Sequence, residues 1–246
     1  MIQIRNTTAV TIFVLFACLC SLQTIAQGSR RYFTGDNTSE TEFNRIAKSA
    51  VRASRDLVNL PEAVSLKLYA PAPQDQGKHG TCVAWSTSYA ARTISYCIQH
   101  QIKDPAQIQA VAFSPAYLYY YIKMPGDNNC SNGAKIEPAL KVLSDKGDVL
   151  LSENIPDCIP VIDNSTDAKA KDYTIKAYTS LSNYFGAIGK NDLIAIRKSI
   201  AENKPVIFSL KCYSSLFNVG KDGVWTPGAN DTIVGNHAVC IGRVID

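Results

Sequence analysis

The sequence predicts an α+β protein of two lobes, helices first and strands later. From Thr81 to about Tyr96 the run Val-Ala-Trp-Ser-Thr-Ser-Tyr-Ala-Ala-Arg-Thr-Ile-Ser is apolar or small on nearly every side, as a helix buried in a core must be. Far downstream, Pro205-Val-Ile-Phe-Ser-Leu-Lys-Cys212 and His237-Ala-Val-Cys-Ile-Gly242 read as strands, separated by a Gly- and Asn-rich loop around Trp225 and Gly228. A chain of 246 residues with 46% apolar and 19% charged residues has the core material for one large domain or two small lobes.

The first residues read as an address. Arg5 precedes an uncharged run from Thr7 to Ser21, and Thr24-Ile25-Ala26 places small residues where a signal peptidase reads them, so residues 1–26 form a signal peptide with cleavage before Gln27. The expected location is outside the cytoplasm: periplasm, cell surface or medium. The apolar stretch is short for a membrane span and lacks a basic stop-transfer flank, so no stable span is expected. A lipid on Cys18 is the weaker alternative, since Phe16 fits a lipobox poorly. Export makes disulfides permissible for the six cysteines beyond the signal segment: Cys82, Cys97, Cys130, Cys158, Cys212 and Cys240. None of them forms a C-x-x-C pair, so neither a zinc ribbon nor any other metal or cofactor is expected.

Residues 27–59 read as a leader. Its polar start, reaching Gly35-Asp-Asn-Thr-Ser39, should pack little, whereas Phe43, Ile46, Ala47, Ala50, Leu57 and Val58 recur with helical spacing between Glu40 and Asn59. That amphipathic helix, ended by Leu60-Pro61, is either a short prosegment or a helix packed on the domain that follows. From residue 60 to 246 a single two-lobed domain is expected. The chain should be extended from Pro61 to Pro73, because Pro71 and Pro73 forbid helix. Further helices are expected near Pro115–Lys123, Ile136–Lys146 and Asn191–Asn203, and the polar stretch from Pro160 to Lys171 reads as loop. The net charge of +4 is spread along the chain without a basic run interleaved with aromatics, which argues against nucleic acid as a partner.

The chemistry concentrates at Gln76-Gly77-Lys-His79-Gly80-Thr81-Cys82, a glycine-punctuated turn that runs into the buried helix. A free thiol with a pKa of ~8.5 is mostly protonated at neutral pH, but helix-N-terminal amides and an adjacent imidazolium can hold it as thiolate. A structural cysteine has no need of such a turn, whereas a nucleophile must be approached closely by backbone and substrate. Of three histidines, His100 reads as a surface residue and His79 lies in the loop just before the helix, which leaves His237 as the better base. The Gln76 amide could join the Cys82 N–H as a second oxyanion donor. Trp85 reads as core filling.

Gln76-Gly77-x-x-Gly80-Thr81-Cys82-x-Ala84-Trp85-Ser86 resembles the nucleophile motif of papain-family cysteine peptidases, Gln-Gly-x-Cys-Gly-Ser-Cys-Trp-Ala-Phe. Leu60-Pro61-Glu-Ala-Val64, Phe113-Ser-Pro115, Cys130-Ser-Asn-Gly133 with Ala139-Leu140, Lys204-Pro-Val206 and Asn236-His-Ala-Val239 resemble further landmarks in the family's order. The separation of Cys82 and His237 also suits that family's spacing of about 130–150 residues. The resemblance, running from Leu60 to the end, implies a papain-like fold with Cys82 as nucleophile, His237 as general acid and base, and Gln76 as oxyanion donor. It further implies hydrolysis of protein or peptide substrates through a thioester, by a monomer without cofactor.

Two departures stand out. His79 occupies the place of a family cysteine that pairs with the counterpart of Cys130, so Cys130 needs another partner and Cys158 is the expected one; Cys212 and Cys240 could pair but read better as buried thiols. The family's orienting Asn lies beyond the His, and this sequence reaches Asp246 without a counterpart, so an incomplete antiparallel β lobe is expected. The competing expectation is therefore a weak or inactive papain-like fragment that serves as a secreted peptide-binding module.

Overall fold

The computed structural model describes residues 34–49, 60–153, 158, 162–183, 185–220 and 223–245. The expected signal segment and the second half of the expected leader helix lie outside these residues. In chain order the elements are α1 (Glu40–Arg45), β1 (Ala63–Ser65), a long helix α2, α3 (Pro105–Ala110), α4 (Pro115–Ile122), α5 (Ile136–Asp145), α6 (Asn164–Ala170), α7 (Lys190–Ala201), β2 (Val206–Tyr213), β3 (Ile233–Ile241) and β4 (Arg243–Ile245). α2 is continuous through Cys82–Ala84, a π-helical stretch Trp85–Arg92 and a final α segment Thr93–Gln99.

The helical lobe is built around the first turn of α2. Cys82, Val83 and Ala84 pack with Leu118, Tyr119 and Ile122 of α4 and with Ile136, Ala139 and Leu143 of α5, all nearly inaccessible to solvent. α4 starts cleanly because Ser114 accepts the Tyr117 N–H and Pro115 supplies a preset first-turn backbone angle. In the second lobe β2 and β3 pair antiparallel from Val206 opposite Ile241 to Tyr213 opposite Ile233, with an irregularity after Cys212. β1 pairs with β4, Ala63 opposite Ile245, so the start of the domain is tied to its last described strand. Leu66, Ile94, Ile196, Ile200 and Val206 form the core beneath these strands.

Five expectations are corrected. The leader helix is one and a half turns, not a run to Asn59: it ends at Arg45, Ile46 is extended, and Lys48 then bridges to Ser180. The polar 160–171 stretch contains α6, because the Asp163 carboxylate accepts the Thr166 N–H and caps a helix that composition alone made look like loop. The extended passage after Pro61 carries a 3₁₀ turn at Lys67–Tyr69. The polar start of the leader packs closely. Gly35 and Asp36 are buried. Trp85 is only half-buried and meets Tyr89 edge-on, 5.1 Å between centroids, so it is not a core-filling residue. Among the described residues no helix is long and apolar enough to cross a membrane.

Candidate active site

Cys82 is the first residue of α2, where N–H groups have no intrahelical carbonyl to bond. The turn that delivers it is held by its own residues: Gly77 adopts the left-handed region at φ 66° and donates to Asp75, and the Gln76 side chain donates to the His79 carbonyl at 2.7 Å. Gly80 donates to the Cys130 carbonyl at 2.6 Å, which ties the nucleophile loop to the loop across the cleft. His79 reaches that same loop, with Nδ1 3.3 Å from the Asn129 carbonyl. Thus His79, which the resemblance sets at the place of a family cysteine, meets this loop through a polar contact. Cys130 is joined instead to Cys158, Cα atoms 5.8 Å apart. Cys212 and Cys240 are both free, because their strand register sets Cys212 opposite Gly235 and Cys240 opposite Ile207.

The second lobe brings β3 against the first turn of α2. The Ala238 N–H points at the Cys82 sulfur, 3.5 Å away, so His237 stands at the adjoining position of the seam between the lobes. The His237 Nδ1 atom is buried and has no hydrogen-bond partner among the described residues. Cys82 and the strand that carries His237 thus meet at this seam, while Gln76 lies on the turn that leads into Cys82, with its side chain bonded to the His79 carbonyl.

That cleft is occupied by the chain itself. Thr34 to Thr38 cross it in extended form: Gly35 and Asp36 N–H both donate to the Asn236 carbonyl (3.2 Å each), Ala134 N–H donates to the Gly35 carbonyl (2.8 Å), and Asn37 N–H to the Ala134 carbonyl (2.8 Å). The bridge between Asp36 and Ala134 is parallel. The walls are shaped for this strap. A Cβ on Gly133 (φ +75°) would lie 2.5 Å from the Gly35 carbonyl oxygen, and one on Gly235 (φ +144°) 2.1 Å from the Thr34 hydroxyl. Beyond the strap, Thr38 accepts the Ile136 N–H at 2.9 Å, Ser39 and Glu42 form a capping box for α1, and Glu42 pairs with Lys135 at 2.8 Å. Lys135, then Ser39, holds the Glu42 carboxyl down to about 2.

The strap changes the electrostatics of the site. Burial pushes the Cys82 thiol up to about 11, and the nearby Asp36 carboxylate adds to this, against the Ala238, Gly35 and Val83 N–H groups that favour thiolate. Burial also lowers the His237 pKa, with Asp36 opposing. Both shifts favour the uncharged pair, thiol and neutral imidazole. Asp36, whose Oδ2 atom is buried without a partner among the described residues, is the feature of the site that sequence reasoning missed. Its Oδ1 atom accepts the Thr38 N–H at 2.9 Å, an ordinary local turn, while the main-chain contacts that seat it in the cleft come from Ala134 and Asn236, about a hundred and two hundred positions away.

A two-lobed α+β fold with a cysteine at a helix start facing a histidine strand defines the class of thiol-dependent peptidases. The family model described as papain family cysteine protease matches residues 61–242, and the chain belongs to that family. The fold is similar to that of xylellain, a cysteine protease from Xylella fastidiosa, with a TM-score of 0.64 and 20% identity over 87% of this chain and 80% of that one. It is also similar to proCathepsin B S9 from Trypanosoma congolense (TM-score 0.58, 18% identity, 87% and 72% covered) and to digestive procathepsin L 3 of Tenebrio molitor larval midgut (0.58, 16%, 82% and 62%). No curated protein sequence matches the chain.

Proposed function

We propose that this chain is an exported cysteine peptidase made in latent form, with residues 1–26 removed before Gln27 and the leader through Ser49 acting as an internal inhibitor of the Cys82 site. The observation that carries the reading is the extended main chain bound along the cleft beside Cys82. A cleft that pairs with one extended peptide through Ala134 and Asn236 is equipped to pair with another.

In the open cleft, Cys82 Sγ attacks the scissile carbonyl carbon while its proton resides on His237. The Cys82 N–H and the Gln76 amide receive the oxyanion, the C–N bond breaks, and the amine leaves with the His237 proton. Water, deprotonated by His237, then hydrolyses the thioester. The strap avoids this fate by its direction. Its Gly35 carbonyl is turned to the Ala134 N–H, and its Gly35 and Asp36 N–H groups to the Asn236 carbonyl.

The test is labelling and turnover: the wild-type chain should hydrolyse peptides once the strap is displaced and should take up a thiol-directed epoxide, and Cys82→Ala should do neither. Turnover retained by Cys82→Ala would sink the assignment. A second reading, a peptide-binding module without catalysis, draws on the buried Nδ1 of His237, which bonds to no sulfur in this state. Absence of turnover in the strap-displaced wild type, with peptide binding intact, would favour it.

A further inference from the structure

Asp127 lies on the loop between α4 and α5 and is 1% exposed. Its carboxylate is saturated by one tight loop: Oδ1 accepts the N–H groups of Asn129 (3.3 Å) and Ser131 (3.2 Å), and Oδ2 accepts the Asn132 N–H (3.2 Å) and the Tyr119 hydroxyl (2.7 Å). Burial alone would raise its pKa, but the Tyr119 hydroxyl and these three N–H groups hold it below the ordinary carboxylate value. The tyrosine is itself fully buried in α4, and its hydroxyl also lies 3.2 Å from the Gly133 carbonyl.

The loop so gathered needs an external hold. Cys130 sits at φ 55°, a left-handed conformation uncommon for a residue with a side chain, and Gly133 follows at φ +75°. Those two residues aim the next peptide group, Ala134, so that its N–H and carbonyl both face the cleft, where they pair with Gly35 and Asn37. The same loop gives the Cys130 carbonyl to Gly80 on the nucleophile turn. One carboxylate therefore fixes the edge that grips extended peptide and braces the turn that carries Cys82.

We propose that Asp127, through Tyr119, is a positioning residue of the peptide-binding edge, acting on Ala134 rather than on the reacting atoms. The proposal rests on the peptidase reading for its kinetic consequence only. Asp127→Asn keeps the shape and one oxygen acceptor but turns an NH₂ toward the Oδ2 donors; the Tyr119 hydroxyl can adapt by accepting, and the Asn132 N–H cannot. Tyr119→Phe removes the other half of the clamp without placing a new group.

The experiment compares wild type with Asp127→Asn in the full chain by site-resolved amide exchange and by peptide hydrolysis. Losing a hydrogen bond to a charged group should speed exchange at Ala134 and Asn37 by roughly tenfold, with Phe208 and Val239 in the β2–β3 ladder unchanged. Measured with the strap displaced, so that it no longer competes for the same edge, the KM for a peptide substrate should rise by a similar factor, with kcat within about twofold. Unchanged exchange at Ala134, or an equal acceleration at every amide, would overturn the positioning role. If Asp127→Asn does not fold, Tyr119→Phe must show the same local pattern in smaller degree, and its absence there overturns the proposal equally. If wild type hydrolyses nothing, the peptidase reading fails alone, and exchange at Ala134 still decides the role of Asp127.

Discussion

Gly35 of the leader lies so close to Gly80 of the nucleophile turn that a Cβ at Gly35 would sit 2.1 Å from the Gly80 carbonyl oxygen and 2.7 Å from its Cα. The neighbouring atoms are all backbone, so no side chain can move aside. The strap can seat only where residue 35 is glycine.

It follows that Gly35→Val should unseat the strap in the intact chain. Four main-chain hydrogen bonds and the buried Asp36 leave the cleft together, while the capping box and the Glu42–Lys135 pair can keep α1 docked. The full-length variant should hydrolyse peptide at a rate at least about tenfold above the full-length wild type, as expected if ~1.4 kcal/mol or more of strap binding is lost. Steady-state assays on unprocessed protein check this, and equal rates would mean that the strap does not limit access.

Alkylation of Cys82 should report the same event through pH. With the strap seated the thiol is pushed up to about 11, so the thiolate fraction, and with it the rate of reaction with iodoacetamide, should rise about tenfold per pH unit from pH 7 to 9. In Gly35→Val the Asp36 carboxylate no longer opposes the thiolate, and solvent can reach the sulfur. The profile should therefore shift to lower pH and flatten in that range. Superimposable profiles for the two proteins would refute the link between strap and thiol.

What the sequence made legible was whatever depends on neighbours in the chain or on a repeating side-chain pattern. The buried face of α2, the strands β2 and β3 and the positions of Cys82 and His237 all belong to that category. The cap at Asp163 was equally local but was masked by polar composition, since Asn164–Ala170 offers only Ala170 to the core. The strap was of another kind. Gly35-Asp36-Asn37 is held by carbonyl and amide groups of Ala134 and Asn236, and main-chain pairing leaves no trace in the identity of either partner. Asp127 is an intermediate case: its N–H partners lie two to five residues on, but the buried Tyr119 hydroxyl that completes its shell is brought there by the packing of α4.

The Cys130–Cys158 disulfide closes a loop with a sequence separation of 28. Cross-linking a loop of that length restricts the unfolded chain by an amount worth about 3 kcal/mol. Cys158→Ser should lower stability by roughly that amount in denaturant titration and bring Cys130, fully buried beside Ala134, into reach of thiol reagents only on unfolding. A loss well under ~1 kcal/mol would show that contacts elsewhere already confine the loop in the unfolded chain.

A final prediction concerns Asp148, which is inaccessible to solvent and packed against the π-helical stretch of α2. Burial raises its carboxyl pKa to about 7, against the Ser88 hydroxyl, the Val149 N–H and the charge of Arg92. The arginine does little to offset burial because its guanidinium is turned away, donating through Nε and Nη2 to the Tyr173 carbonyl at 3.2 and 3.1 Å and lying 4.6 Å from the Phe113 ring centroid. A carboxyl that titrates near 7 when folded and near ~3.9 when unfolded binds its proton more tightly in the folded chain. Its contribution to stability is thus full below the unfolded value and is lost as pH rises through about 7. The loss should be on the order of 2–4 kcal/mol between pH ~4 and ~8. Asp148→Asn copies the neutral carboxyl in shape, still accepts the Val149 N–H and cannot ionise. The variant should therefore match wild type near pH 4, exceed it at pH 8, and show a flatter stability profile between. Urea titrations at several pH values check this, and parallel profiles for the two proteins would mean that Asp148 stays ionised in the fold as the partner of Arg92.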